Sequence, residues 1–398
     1  MLLTQPDLQL DPLWALTAEC AADLRLNRLN LVIGVYRDEH GVCPVPQAVQ
    51  EAELRLASIA ATKEYTSPSG NIEFNAGITD LVLGDSDLTQ RARSLQAVGG
   101  TGALRLLAEL LAITGPERTV HLGVPAYVNH VPVLQAAGLR IQEYAIENEG
   151  YLNVDAVVEA VRGARAGDVL LLQGACHNPT GLTMPVAVWE QLGHEMNRAG
   201  VIPLIDHAYF GLGDGLEEDL AGMRRMLEIV PEGLVAVSAS KVWGLYSERT
   251  GCAVAVMSNP ERGTYVHGVL EVIARAAYSQ APSHGARVVA EVLGDDGLRA
   301  QWRAELDQMR ERITGLREGL VRGLTAASDA PEWPALADQR GMFLRLPLSP
   351  EQMARLRIDH AVYGVPSGRI NLAGVPTAAV DRLANAILEV HDRVRDAG

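Results

Sequence analysis

Short apolar runs, each six or seven residues long, alternate along the chain with stretches of helical periodicity. The runs are LNLVIGV centred on residues 30–35, DVLLLQ at 168–173, VIPLID at 201–206, LVAVSA at 234–239 and CAVAVM at 252–257. They are too short for helices, and they lack the polar alternation of a strand that has one face in water. Continuously apolar strands belong in a sheet covered on both faces. Helices between such strands supply the crossovers that parallel pairing needs, so the expected fold is α/β with a mostly parallel sheet. With 398 residues, 48% of them hydrophobic and 21% charged, the chain has material for such a core without disulfide or metal support.

The C-terminal quarter reads differently. From Leu298, apolar residues recur at Trp302, Leu306, Met309, Ile313, Leu316, Leu320 and Leu324. Steps of three and four describe one long amphipathic helix. Short strands are expected near Gly341–Leu346 and Arg369–Leu372, and a last helix from about Thr377. These segments suggest a second, smaller domain.

A net charge of −15 repels nucleic acid and anionic membrane, so neither is an expected partner. No apolar stretch approaches the ~20 residues of a membrane helix. The beginning, MLLTQPDLQLDP, lacks the basic start and apolar run of a secretory signal. Cys20, Cys43, Cys176 and Cys252 form neither a CxxC pair nor a zinc pattern, and they suit a reducing cytoplasm as packing residues. No metal site is expected.

Four segments carry chemistry. In SASKVWGLYSERTG (238–251), Lys241 follows a strand, with Ser238 and Ser240 before it and Arg249 after it. Desolvation and a neighbouring cation would leave its amine free to attack an aldehyde. The serines and the Arg249 fork would hold a phosphate. In VIPLIDHAYFG (201–211), Asp206 ends a buried strand, where an unpaired carboxylate is costly. It suits a protonated pyridine nitrogen, the pairing that makes pyridoxal phosphate an electron sink, and Tyr209 is placed to donate to the phenolic oxygen. In CHNPTG (176–181), Asn178 lies beyond a strand's carboxyl end, where open α/β sheets bind ligands. In GGTGALRLLAELLA (99–112), Gly100 and Thr101 open a helix whose N–H groups form an anion site. Each has a plainer reading by itself: a solvated lysine, a helix-capping aspartate, a tight turn, an ordinary helix start.

Together and in this order, the segments resemble the aspartate aminotransferase family, fold-type I pyridoxal-phosphate enzymes that include the aromatic amino acid aminotransferases. The likeness extends through DPLWALTAECAADLRLNRLNLVIGVYRDEHG, KEYTSPSGNIEFNAGITDLVLGD, PAYVNH, ARAAYSQAPSHGARVV, RGMFLRL and SGRINLAG. It implies that Lys241 carries pyridoxal 5'-phosphate and shuttles the proton. Asp206 would meet the ring nitrogen with His130 behind it, while Asn178 and Tyr209 bond the phenolic oxygen. Gly100, Thr101, Ser238, Ser240 and Arg249 would hold the phosphate. Tyr65 would reach the phosphate of a neighbouring subunit, which implies a homodimer with shared sites. Arg369, together with Gly34 and Asn178, would bind the substrate's α-carboxylate end, and Arg275 would cross the dimer to a distal carboxylate. The implied architecture is a mostly parallel large domain (42–297) and a small α+β domain from the two ends, with an N-terminal arm and part of the small domain in 1–41 and the linking helix and remainder in 298–398.

The chain departs from the family pattern around ring and substrate. Tyr127 stands where Trp usually stacks on the cofactor, and Trp14 makes the start DPLW. Gln173 replaces a frequent His, and Gln280 and Ala281 replace Asn-Pro. The expected reaction is transamination of aspartate with 2-oxoglutarate/glutamate; the alternative is aromatic amino acids with the same pair. A β-lyase or decarboxylase on the same fold, and a non-catalytic sensor, are the remaining readings. The intact Lys241 argues against the sensor.

Overall fold

The computed structural model describes residues 12–59 and 62–395. Residues 1–11, the start of the expected arm, lie outside the described residues. The chain divides into two compact units. The larger comprises Pro44–Asn178 and Leu182–Glu311; the smaller comprises the segment ending at Cys43, Pro179–Gly181 and the segment from Arg312 onward.

The larger unit is built on seven strands: β1 (Ala92–Val98), β2 (Thr119–Val124), β3 (Arg140–Ala145), β4 (Val169–Gln173), β5 (Ile202–His207), β6 (Gly233–Ser238) and β7 (Thr250–Val256). Their order in the sheet is β1-β7-β6-β5-β4-β2-β3. All neighbours are parallel except β7, which runs antiparallel to both β1 and β6. Every residue of β6 and β7 is buried, as their aliphatic runs require. Helix α1 (Gly99–Thr114) packs Leu104, Leu107 and Leu111 into the same core as Leu122, Leu171 and Ala253. Helix α2 (Pro260–Ala277) follows β7.

Three strands lie outside the expected set. β1 contains Gln96, which is buried because its amide accepts from Asn71 N–H at 2.9 Å and donates to Pro282 O at 2.7 Å. β3 is the sheet's edge and leaves most of its residues exposed or half-exposed, so it carries no apolar run. β2 pairs in parallel with both β3 and β4.

The run centred on residues 30–35 is corrected. Only Leu29–Asn30 forms a strand, and it pairs in parallel with Val362–Tyr363 of the smaller unit. Leu31 N–H donates to Tyr363 O and Leu31 O accepts from Asn371 N–H. The apolar run is buried by this small core, and the large sheet has no place for it.

Helix α3 (Asp296–Ala327) is the expected long helix. Leu298, Trp302, Leu306 and Met309 are buried on its part in the larger unit; Ile313, Leu316, Leu320 and Leu324 are buried on its part in the smaller. The smaller unit also has an antiparallel pair, Phe343–Arg345 with Arg369–Asn371, and helices Pro350–His360 and Val380–Arg395. Ser349 and Gln352 form a reciprocal cap at the first of these helices. Among the described residues, no helix is long and apolar enough to cross a membrane and no cluster could hold a metal ion.

Candidate active site

One edge of the large sheet collects the chemistry. β2, β4, β5 and β6 end there, and their following turns carry Tyr127 and His130, Asn178, Tyr209, and Ser240 and Lys241. Because β7 runs the other way, its start lies at the same edge, with Thr250 opposite Val98 and Gly251 opposite Ser238. The reversal brings Arg249 and the glycine-rich start of α1 to the end of β6. Ligands bind at this edge in open α/β sheets.

Asp206 is buried on β5 and does not cap a helix; its Oδ2 lies 2.9 Å from His130 Nε2. Tyr127 meets the His130 ring edge-on, with centroids 5.3 Å apart. Asn178 Nδ2 lies 3.5 Å from the hydroxyl of Tyr209. The Lys241 amine stands over the Tyr209 ring, 4.9 Å from its centroid. Burial pushes the Lys241 pKa down to about 8; the charge of Asp206 opposes that shift and the charge of Arg249 adds to it. A lysine in this state keeps a usable fraction of free amine near neutrality. His177 is buried beside this group, and burial followed by the charge of His130 holds it down at about 3. It is neutral at any working pH.

Arg249 Nη1 donates to Ser240 Oγ at 3.3 Å and to Tyr246 O at 3.0 Å. Gly99 N–H donates to Arg249 O at 2.7 Å. A Cβ on Gly99, whose φ is +67°, would sit 2.5 Å from Arg249 Nη2. A Cβ on Gly100 would lie 2.8 Å from Ser238 Cβ, and one on Gly251 would meet the Gly99 backbone at 2.3 Å. The glycines thus let a helix N-terminus, an arginine and two serines converge. Thr101 lies in the first turn of α1. A dianionic phosphate fits such a corner.

The residues therefore suit a phosphorylated pyridine aldehyde. Gly100, Thr101, Ser238, Ser240 and Arg249 would take the phosphate, Asp206 the ring nitrogen, Asn178 and Tyr209 the phenolic oxygen, and Lys241 the aldehyde. Such a group, once bound, withdraws electrons from an attached amino acid and makes its α-proton acidic.

Of the remaining expected residues, Arg369, Gly34 and Trp14 belong to the smaller unit and Tyr65 and Arg275 to the larger. In the smaller unit, Arg369 is buried, donates to Val32 O at 2.6 Å and lies 4.7 Å from the centroid of the Phe343 ring. Gly34 makes that packing possible, since a Cβ there would sit 2.5 Å from Phe343 Cζ. Trp14 is 64% exposed and Tyr65 93% exposed. Arg275 is exposed on α2 and donates to Ser279 Oγ at 2.9 Å, with no carboxylate in ion-pair range among the described residues.

Two contacts have no counterpart in the sequence reading. The Gln173 side chain bonds the backbone of Asn178 at both N–H and C=O. Trp302 of α3 stacks on Trp243 with centroids 4.7 Å apart, and its indole donates to Val242 O at 2.8 Å, one residue beyond Lys241. The apolar stripe of α3 announced a buried Trp302 but not its partner.

The family model "Aminotransferase class I and II" matches residues 27–387. A tyrosine aminotransferase of Rhizobium meliloti is 43% identical over 94% of this chain and 96% of its own length. An aspartate aminotransferase of Escherichia coli is 39% identical, over 96% of this chain and 97% of its own. Among solved structures, an aromatic-amino-acid aminotransferase from Burkholderia pseudomallei, covalently bound to pyridoxal phosphate, superposes with a TM-score of 0.94. It is 34% identical and covers 98% of both chains.

Proposed function

The chain belongs to the class I and II aminotransferases, and from that premise we propose how its own residues work and what it prefers. It is a pyridoxal-phosphate-dependent aminotransferase of the aspartate/aromatic type. The observation that carries the assignment of roles is the half-buried amine of Lys241 beside Tyr209, within electrostatic reach of a carboxylate backed by histidine.

Lys241 holds the cofactor between turnovers and moves the substrate's α-proton as its general base and acid. Burial favours the free amine this requires. Asp206 keeps the ring nitrogen protonated, and His130 fixes the carboxylate that does so. Tyr209 and Asn178 bond the phenolic oxygen, and the Arg249 corner anchors the phosphate so that ring and lysine stay in register. Tyr127 lies edge-on against His130 and would line the cofactor ring. Arg369, packed on Phe343, takes the substrate's α-carboxylate.

Glutamate and 2-oxoglutarate are the proposed shared pair, with aspartate as the preferred second substrate. Arg275 supports this choice. It is an exposed guanidinium without a carboxylate among the described residues, suited to the distal carboxylate of a substrate bound in a second copy of the chain. Tyr65, almost wholly exposed, is proposed to reach the phosphate of that copy. Together they make the proposed enzyme a homodimer. A second reading, transamination of aromatic amino acids, is favoured by the tyrosine aminotransferase among the relatives and by the broad aromatic surface of Trp14.

The test is kcat/KM for aspartate, glutamate, tyrosine and phenylalanine in the wild type and in Arg275→Leu. The change is expected to cost the acidic pair at least about tenfold, equal to about 1.4 kcal/mol, and to leave the aromatic pair level or improved. Equal losses for all four would make Arg275 structural. A wild type that prefers tyrosine would select the second reading.

A further inference from the structure

We propose that Gln173 is a positioning residue that holds Asn178 in place for the cofactor's phenolic oxygen, an inference that rests on the function proposed above. Gln173 is the last residue of β4, and its register partner on β5 is Asp206. Paired residues of parallel strands project to the same face, so these two leave the sheet side by side. The chain then turns at Gly174, whose N–H donates to Asp206 O at 2.9 Å. A Cβ on Gly174 would lie 2.4 Å from the His207 ring, so only glycine fits this turn. Five residues after Gln173, the chain returns as Asn178. There Gln173 Nε2 donates to Asn178 O at 2.9 Å, and Gln173 Oε1 accepts from Asn178 N–H at 3.0 Å.

A primary amide carries its donor and its acceptor side by side. That arrangement matches the N–H and C=O of one residue, as a neighbouring strand would. Gln173 thereby extends the sheet's hydrogen bonding over a turn that has left the sheet, and it fixes one peptide with two bonds. The residue so fixed is the one whose side-chain amide lies 3.5 Å from the Tyr209 hydroxyl. Imidazole has one donor and one acceptor in its neutral form, but they point away from each other across the ring, so a histidine here meets only one of the two groups. A methionine meets neither. The same amide also leaves the position uncharged at every working pH, beside the carboxylate that sets the ring nitrogen.

The consequence is readable without turnover. With the cofactor bound, a donor to its phenolic oxygen would stabilise negative charge there and make the chromophore formed with Lys241 give up its proton more easily. If Gln173 keeps Asn178 aimed, releasing it weakens that donor and raises the midpoint of the absorbance titration of the bound cofactor.

The experiment is that titration in the wild type, Gln173→Met, Gln173→His, Asn178→Ala and the two double variants. The expected rise for Gln173→Met is at least about 0.5 pH unit, the scale of one neutral hydrogen bond, with Gln173→His in between. In the Asn178→Ala background neither change should move the midpoint further, because the effect passes through Asn178. An unmoved midpoint in both single variants, or equal shifts with and without Asn178, overturns the inference. If Gln173→Met does not fold, Gln173→His and its double variant carry the same comparison. A wild type that binds pyridoxal phosphate with normal colour while both variants titrate unchanged sinks this inference alone. A wild type that binds none overturns the proposed function and this inference with it.

Discussion

Lys241 is an ammonium-bearing side chain half-buried in the site, and the apo protein bears the cost. Its pKa falls from the ordinary 10.5 to about 8, mainly by burial. Below pH 8 the amine is protonated in both folded and unfolded chains, and the folded state bears the whole penalty. Between about 8 and 10.5 the unfolded chain binds more protons, so apo stability rises with pH through that window. Lys241→Met keeps the volume and removes the charge. The apo variant is expected to be more stable than apo wild type at pH 7 by roughly 2–4 kcal/mol, measured by urea unfolding, with the gap closing toward pH 10.5. A gap that does not change with pH would contradict the burial account. The roles proposed for Lys241, Asp206 and Asn178 start from compact segments, each with its own chemistry. Gln173 was visible only as a departure from a pattern. Its bonds go to another residue's backbone, and backbone partners leave no trace in residue identity.

Between residues and domains, the first half of α3 packs against the segment that follows Lys241. The Trp302 indole donates to the carbonyl of Val242 and stacks on Trp243, with planes 2° apart. Both tryptophans are fully buried. Trp302→Ala should cost roughly 3–5 kcal/mol, and Trp302→Phe, which keeps a stacking ring but leaves the Val242 carbonyl unpaired, roughly 1–3 kcal/mol. Both should speed release of pyridoxal phosphate. Stability losses with unchanged cofactor release would confine Trp302 to the core. The heptad-like stripe made α3 readable because one buried face per turn is a sequence property. The strands divided on the same principle. β4, β5, β6 and β7 are covered on both faces and read as apolar runs. β3 lies at an edge, and β1 hides a glutamine whose amide finds partners from other segments. The run at residues 30–35 was legible as buried, but apolar character does not say in which core.

Across the whole molecule, a chain with net charge −15 that is proposed to hold a phosphate and dicarboxylates needs local cations: Arg249 is the proposed one for the phosphate, and Arg369 and Arg275 for the carboxylates. The first two are engaged by their own units. Arg275 stands exposed, and its proposed use requires a second copy of the chain. Mixing inactive Lys241→Ala with Arg275→Ala, itself impaired toward aspartate, should therefore raise the activity toward aspartate above that of either variant, since one site of each hybrid dimer keeps both groups. No recovery in isolated heterodimers would mean that each site is built from one chain. The central claim beneath all of this is that Lys241 carries the cofactor, and it is tested most directly by borohydride reduction of the enzyme with bound pyridoxal phosphate, digestion and peptide mass analysis. The expected result is a pyridoxyl group on the peptide containing SASK, at Lys241; a pyridoxyl group on Lys63, or an unlabelled protein despite bound cofactor, would show that Lys241 does not carry the cofactor.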